Sequence, residues 1–95
     1  MSAVVGMLTL HLYLPDNQSL KEKRMVLNAL KDGLRRHFNI SVGELDGTDS
    51  WQRTVLGIVG IGADRRYVNG QLSQVMEWTQ RQRAVELTDY ELTWW

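Results

Sequence analysis

The order of hydrophobic periodicities along this chain constrains its fold more than any other feature. A leucine stands at every even position from 8 to 14, which is the period of a half-buried strand, and Pro15 ends that pattern. Residues 20 to 38 then place apolar side chains along one stripe of an amphipathic helix. The same reasoning predicts strands at 4–14, 40–45, 53–62 and 85–94 and helices at 20–38 and 65–82.

The order strand, helix, strand, strand, helix, strand predicts an α+β, ferredoxin-like βαββαβ sandwich. Two right-handed βαβ units form a four-stranded antiparallel sheet and place both helices on one face. With 95 residues, the chain 1–95 is expected to form a single domain. The third strand, 53–62, is apolar on both faces, which is typical of a strand covered on both sides. The last strand changes parity between Leu87 and Tyr90, which predicts a bulge near Thr88 and Asp89.

Local signals predict where the helices begin and end. Ser19 and Glu22 have the spacing of a capping box, in which Glu22 reaches back to the Ser19 amide. Lys23 falls inside the apolar stripe, so its stem is expected to lie on apolar surface while its ammonium group reaches water. Asn39 is expected to end the first helix in a left-handed conformation, and Asp64 is expected to cap the second helix.

Composition excludes several classes of function. The chain has no cysteine, which excludes disulfides, thiolate metal sites and a cysteine nucleophile and fits a reducing compartment. Its apolar runs are too short to span a bilayer and its amino terminus lacks a basic region, so we expect a cytoplasmic protein without membrane contact. The 11 basic and 11 acidic residues cancel, so any electrostatic attraction must come from how they are distributed.

Four cationic residues of the first helix, with one asparagine between them, form a row that we call the basic ridge. At 100° per residue, Lys21, Arg24, Asn28, Lys31 and Arg35 fall within about 80° of arc, opposite the apolar stripe. The ridge would extend about 21 Å, long enough to follow several phosphates of a nucleic acid. The candidate nucleic-acid-binding residues are Lys21, Arg24, Asn28, Lys31, Arg35 and Arg36. The alternative is a solvated face whose last arginines favour the helix dipole.

A second candidate surface is the segment Trp51, Gln52 and Arg53, which enters the third strand after an acidic turn. A tryptophan at this place can anchor a protein partner, or it can cover one end of the core. Base stacking on the sheet, as in RNA-recognition modules, is not expected, because the third strand carries no aromatic residue from Leu56 to Ile61.

The sequence contains no recognisable catalytic or metal-binding constellation. Glu44, Asp46 and Asp49 are better explained by a strand end and a turn than by a cation site, since no calcium-loop pattern surrounds them. His11 and His37 lie on different elements, without a nucleophile motif beside either. We therefore expect no enzymatic activity, no metal and no cofactor.

Several separated motifs resemble one family of small bacterial proteins. These are Ser19-Leu-Lys-Glu-Lys-Arg24 after the first strand, Phe38-Asn-Ile-Ser-Val-Gly-Glu-Leu-Asp46, Asp49-Ser-Trp-Gln-Arg53 and Asp89-Tyr-Glu91. Together they resemble the YlxP-like family over nearly the whole chain, although Gln18 replaces a basic residue before the serine. The resemblance implies a ferredoxin-like, dimeric, cytoplasmic protein encoded near translation and ribosome-maturation factors. It implies no catalytic site.

These observations give one expected function and two alternatives. The expected function is a non-enzymatic accessory protein of translation that binds RNA or a ribosomal particle through the basic ridge. One alternative is a protein interaction module that uses Trp51. The other is a small-ligand sensor with a site at the seam of a dimer. For each function we expect a homodimer through the sheet or its edge, because a monomer would leave the apolar open face of the sheet in water.

Overall fold

The helices and strands follow one another in the predicted order. The structure is a computed structural model that describes residues 2–47 and 50–95. Its elements are β1 (Val4–Tyr13), α1 (Leu20–His37), β2 (Ser41–Asp46), β3 (Arg53–Gly62), α2 (Arg65–Gln80) and β4 (Glu86–Trp94). The predicted turn at 46–49 includes Thr48 and Asp49, which lie outside the described residues.

The four strands form one antiparallel sheet in the order β2-β3-β1-β4. β1 and β3 occupy its centre and pair along their whole length, from Val4 opposite Gly62 to Tyr13 opposite Arg53. Both helices pack on the same face, which confirms the ferredoxin-like α+β fold. In the described part of the chain, neither helix combines the length and the apolarity that a bilayer crossing requires.

The core lies between the helices and one face of the sheet. The even-numbered leucines of β1 are all buried, as the period-2 pattern predicts. The helices contribute their predicted stripes to the same cluster. The buried apolar residues of the core are Leu8, Leu10, Leu12, Leu14, Leu27, Leu30, Leu34, Leu56, Ile58, Val68, Leu72, Val75 and Val85.

Two irregularities adjust the edge strands. His11 pairs with Asp89 and Leu12 pairs with Leu87, so Thr88 is the extra residue of the predicted bulge in β4. Its hydroxyl donates to the His11 carbonyl oxygen at 3.1 Å. The second irregularity, at Leu45 in β2, was not predicted.

The start of α1 agrees with the sequence only in part. The Ser19 hydroxyl accepts a hydrogen bond from the Glu22 amide at 3.1 Å, as a capping residue does. The Glu22 carboxylate accepts from the Gln18 amide at 2.8 Å, so the prediction that it binds the Ser19 amide was wrong. The Glu22 side chain reaches the amide of the residue before Ser19.

The end of α1 also differs from the prediction. Phe38 leaves the helix in an extended conformation, and none of the described residues other than Gly47 has a positive φ. Asn39 therefore does not adopt the left-handed conformation expected of it. Its role is taken by Phe38, whose amide still donates to the Leu34 carbonyl oxygen at 3.0 Å before the chain turns into β2.

Candidate nucleic-acid interface and the loop before β3

Lys23 is the largest departure from the sequence-based expectation. Its side chain is buried, with 1% of the residue exposed, so the ammonium group does not reach water. It donates instead to the backbone carbonyl oxygens of Gly47, Ser50 and Arg53, the last at 2.8 Å. A buried ammonium group requires such acceptors, because desolvation without them is expensive. Lys23 is therefore a structural tether, and it is not part of the basic ridge.

The segment tethered by Lys23 carries the second candidate surface. The Leu14 amide donates to the Gln52 carbonyl oxygen at 2.8 Å. The Asn17 side-chain amide donates to the Trp51 carbonyl oxygen at 3.3 Å. Backbone groups of residues 50 to 53 are thus fixed both from α1 and from the end of β1, which gives Trp51 a rigid base.

Trp51 is 51% exposed, which is more than is expected of a side chain that covers one end of the core. Arg53 is also exposed, and its guanidinium group lies 5.3 Å from the centre of the Tyr13 ring. Trp51 was interpreted either as an anchor for a protein partner or as a cover over one end of the core. The geometry, an exposed indole on a fixed backbone, favours the anchor. Such an indole is suited to contact a partner.

The basic ridge is partly neutralised within the molecule. Arg24 and Lys31 both reach the same oxygen of Glu44, at 3.0 and 3.2 Å. The Glu44 side chain is only 11% exposed and lies between β2 and α1. Arg35 pairs with Asp32 at 3.6 Å and contacts the Val42 carbonyl oxygen at 3.5 Å.

The ridge therefore lies along the side of α1 next to β2 rather than opposite the core. The Lys31 side chain is 16% exposed, whereas Lys21, Asn28 and Arg36 stand in water. Sequence reasoning missed Glu44 as a partner. It shares the parity of Val42 in β2, and this position on the helix-facing side of an edge strand could have indicated a contact with α1.

The carboxylates and histidines considered as chemical sites are not assembled into one. Glu44 faces α1, while Asp46 accepts a hydrogen bond from the Gly47 amide at 2.7 Å. The third acidic residue of that group, Asp49, lies outside the described residues. His11 is on β1, and His37 places Nδ1 2.8 Å from the Gly33 carbonyl oxygen at the end of α1. Across residues 2–47 and 50–95, no three acidic or histidine side chains converge on a common point.

The sheet face away from the helices is open in the single chain. Ile61 and Leu45 are 56% and 54% exposed there. Leu45 lies over Gly57, where a Cβ would stand 2.9 Å from its methyl group. The expectation that β3 is covered on both faces is therefore met on the helix side only. The face consists mainly of β1 and β3 side chains of odd number: Met7, Thr9, His11, Val55, Val59 and Ile61.

Comparison with known proteins identifies related chains. A family model described as "Protein of unknown function (DUF503)" matches residues 5–92. The "Uncharacterized protein YlxP" of Bacillus subtilis (strain 168) is 33% identical over 79 residues, which are 83% of this chain and 86% of that protein. Both matches confirm the resemblance to the YlxP-like family that the separated motifs indicate.

Proposed function

The chain belongs to the DUF503, YlxP-like family, and we propose that it acts by binding rather than by catalysis. Its function would be that of an accessory protein that contacts RNA, or another polyanion, through the water-exposed side of α1. The family resemblance, which implies a context of translation, suggests the ribosome or its RNA as the partner.

The excess of positive charge on α1 is the observation that carries this proposal. The ridge and Arg36 together hold five cations, and the carboxylates paired with them are Glu44 and Asp32. A charge of +3 therefore remains among these five cations and their two partners, in a chain whose total charge is zero.

The proposal is tested with cations that serve no internal ion pair in the described residues. The double variant Lys21→Gln/Arg36→Gln removes two exposed charges. Its matched control, Arg81→Gln/Arg83→Gln, removes two exposed charges beyond the end of α2. Binding to a short single-stranded RNA is measured by fluorescence anisotropy over a range of salt concentrations, and co-sedimentation with ribosomal particles is measured in parallel.

We expect affinity for RNA to fall with salt, because each neutralised phosphate releases counterions. In the Lys21→Gln/Arg36→Gln variant, the steepness of the plot of log binding constant against log salt concentration should decrease by about 1.4. This corresponds to the loss of two phosphate contacts with a single strand. The control should keep the parental slope. Equal slopes in both variants would mean that the α1 surface is merely solvated.

A protein partner at Trp51 is a second candidate function, supported by the exposure of this indole on a tethered loop. Binding of this kind would depend little on salt and would be lost on Trp51→Ala. RNA binding through α1 would survive the same substitution. Crosslinking in cell extract, followed by identification of the attached species, separates the two candidates directly.

We also propose that a second copy of the chain covers the open face of the sheet. A two-fold dimer uses one surface twice, and this face has an apolar centre with Arg53 at one end and Asp89 and Glu91 along β4. Exposed apolar patches of this kind commonly mark interfaces. Any small ligand held at the seam of such a dimer would contact the same face.

A further inference from the structure

A cleft of about 540 Å³ separates the carboxyl end of α1 from the first half of α2. One wall is formed by residues 37–39, which directly follow Arg35 and Arg36. The other wall is formed by side chains on successive turns of α2, between Arg66 and Gln74. Its volume falls within the range of pockets that bind small organic groups.

Gly70 gives this cleft its depth. A Cβ added at Gly70 would meet nothing within 4 Å beyond the adjacent residues and backbone of its own helix, and Gly70 itself lines the cleft, so the cleft reaches the backbone of α2. Glycine is unfavourable inside an exposed helix, and no neighbouring side chain requires it at this position. The free space at Gly70 is therefore available to a flat group that approaches the helix closely.

The walls combine aromatic rings with amides. One face of the Tyr67 ring covers Gly62, where a Cβ would stand 2.9 Å from it, and Tyr67 as a whole is exposed. His37 donates from Nδ1 to the Gly33 carbonyl oxygen when its ring is neutral, so Nε2 remains an acceptor. The amide-bearing side chains of the lining are Asn39, Gln71 and Gln74.

Gln71 lines the cleft but turns its amide oxygen toward β3. Its Oε1 is fully buried and makes no hydrogen bond within residues 2–47 and 50–95. This oxygen lies 3.2 Å from the position that a Cβ on Gly60 would occupy. A buried amide oxygen without a partner is unfavourable. The amide can turn toward a ligand without breaking a protein hydrogen bond of that oxygen.

Arg66 supplies a cationic side chain to the lining of the cleft. The carboxylate of Asp64 also lines it, but Oδ1 of that group accepts the Tyr67 amide at 2.9 Å as the cap of α2. The cleft therefore offers stacking surfaces, amide donors and acceptors, and a guanidinium group for a neighbouring phosphate.

We infer that this cleft binds a nucleotide unit, with the base between the Tyr67 ring and α2 at Gly70 and its phosphate near Arg66. Side-chain amides pair with the adenine edge, and aromatic rings stack on unpaired bases. The inference rests on the proposed function in one respect: a strand of RNA on the basic ridge reaches the cleft by continuing past the end of α1, where one of its bases would meet residues 37–39. A free nucleotide has the same chemistry, and the test distinguishes the two sources.

The test uses three probes: adenosine monophosphate, an adenine-rich single-stranded RNA and inorganic polyphosphate, which has no base. Gly70→Leu places a side chain in the cleft from a position where the added Cβ meets open space, and it adds a better helix former. Ser73→Leu is the matched control, because it adds the same side chain to an exposed position of α2 outside the cleft lining. Gln71→Leu removes the buried amide.

We expect Gly70→Leu and Gln71→Leu to lower the affinity for RNA about tenfold, which is the effect of losing one stacked base. Affinity for polyphosphate should stay at the parental value in both variants, as should affinity for RNA in Ser73→Leu. Adenosine monophosphate should shift the backbone amide resonances of residues 70 to 74 in the parent and leave them unshifted in Gly70→Leu. Such shifts without any binding of RNA would assign the cleft to a free nucleotide.

Two results would overturn the inference. One is parental affinity for RNA in Gly70→Leu together with no shift by adenosine monophosphate. The other is an equal loss of polyphosphate binding in that variant, since the effect would then be unrelated to the base. Failure of α1 to bind any polyanion would contradict the proposed function alone, and the adenosine monophosphate measurement would still decide whether the cleft binds a nucleotide.

Discussion

The ammonium group of Lys23 donates to the carbonyl oxygen of Arg53 over 2.8 Å and so links the first turn of α1 to the first residue of β3. Carbonyl oxygens of Gly47 and Ser50 accept from the same group. Gly47 and residues 50 to 53 are therefore held by an interior lysine of α1, in addition to the contacts that reach residues 51 and 52 from the end of β1. Part of their position depends on a side chain of a different element.

Replacing Lys23 by methionine keeps the apolar stem but removes the ammonium group. Several carbonyl oxygens then lose a charged donor, and the free energy of unfolding should fall by about 3 kcal/mol. Urea denaturation measures this loss. Lys21→Met is the control at an exposed position of the same helix turn, and it should change stability by less than about 0.5 kcal/mol. Equal midpoints for the two variants would contradict the tether.

The general architecture could be predicted from the sequence because it depends on periodicity, which each segment carries by itself. Leucines at even positions of β1 and the parity change around Thr88 are local signals, and both lead to the observed pairing. The contacts of Lys23 and Glu44 are different in kind. Each contact depends on which atoms of another helix, strand or loop lie close to the side chain, and the local sequence pattern does not specify this.

Lys23 illustrates the limit of helix patterns. The sequence shows that Lys23 lies inside the apolar stripe. That position is compatible with an ammonium group that reaches water and equally with one that is buried against carbonyl oxygens. Only the path of the segment after β2 decides between them. The same limit applies to the basic ridge, whose row of cations was predicted while its partner Glu44 was not.

Two glycine substitutions in the helices should change stability in opposite directions. A Cβ at Gly33 would lie 2.6 Å from the Trp78 indole, whereas a Cβ at Gly70 would meet nothing within 4 Å. Gly70→Ala should therefore raise the free energy of unfolding by about 1 kcal/mol through helix propensity. Gly33→Ala should lower it by about 1 kcal/mol, because displacing the indole outweighs the same gain. Thermal unfolding of both variants checks the signs, and stabilisation by Gly33→Ala would contradict the close packing of Trp78.

Glu44→Gln tests whether the internal carboxylate limits the charge that α1 offers to a polyanion. The change frees Arg24 and Lys31 from a shared ion pair, so affinity for RNA at low salt should increase while its dependence on salt becomes steeper. Stability should fall by about 1 kcal/mol, because the partly buried Lys31 ammonium loses a charged acceptor. Anisotropy titration and urea denaturation measure the two effects.

Asp32→Gln is the comparison at an exposed ion pair, with little effect on stability. Unchanged RNA affinity in Glu44→Gln would argue against binding by the ridge.

Ile61→Glu tests whether a second copy covers the open face of the sheet. Ile61 is exposed in the single chain, so a glutamate there is compatible with the fold but places a carboxylate in the apolar interface, where it loses its contact with water. Sedimentation at micromolar concentration should show a dimer for the parent and a monomer for Ile61→Glu. At high dilution, where both proteins are monomeric, thermal unfolding followed by circular dichroism should give the same midpoint for the two. Met25→Glu is the control, since Met25 is exposed on the helix side, and this variant should remain dimeric. A monomeric parent would reject the dimer, and loss of the dimer in Met25→Glu but not in Ile61→Glu would move the interface from the sheet to the helices.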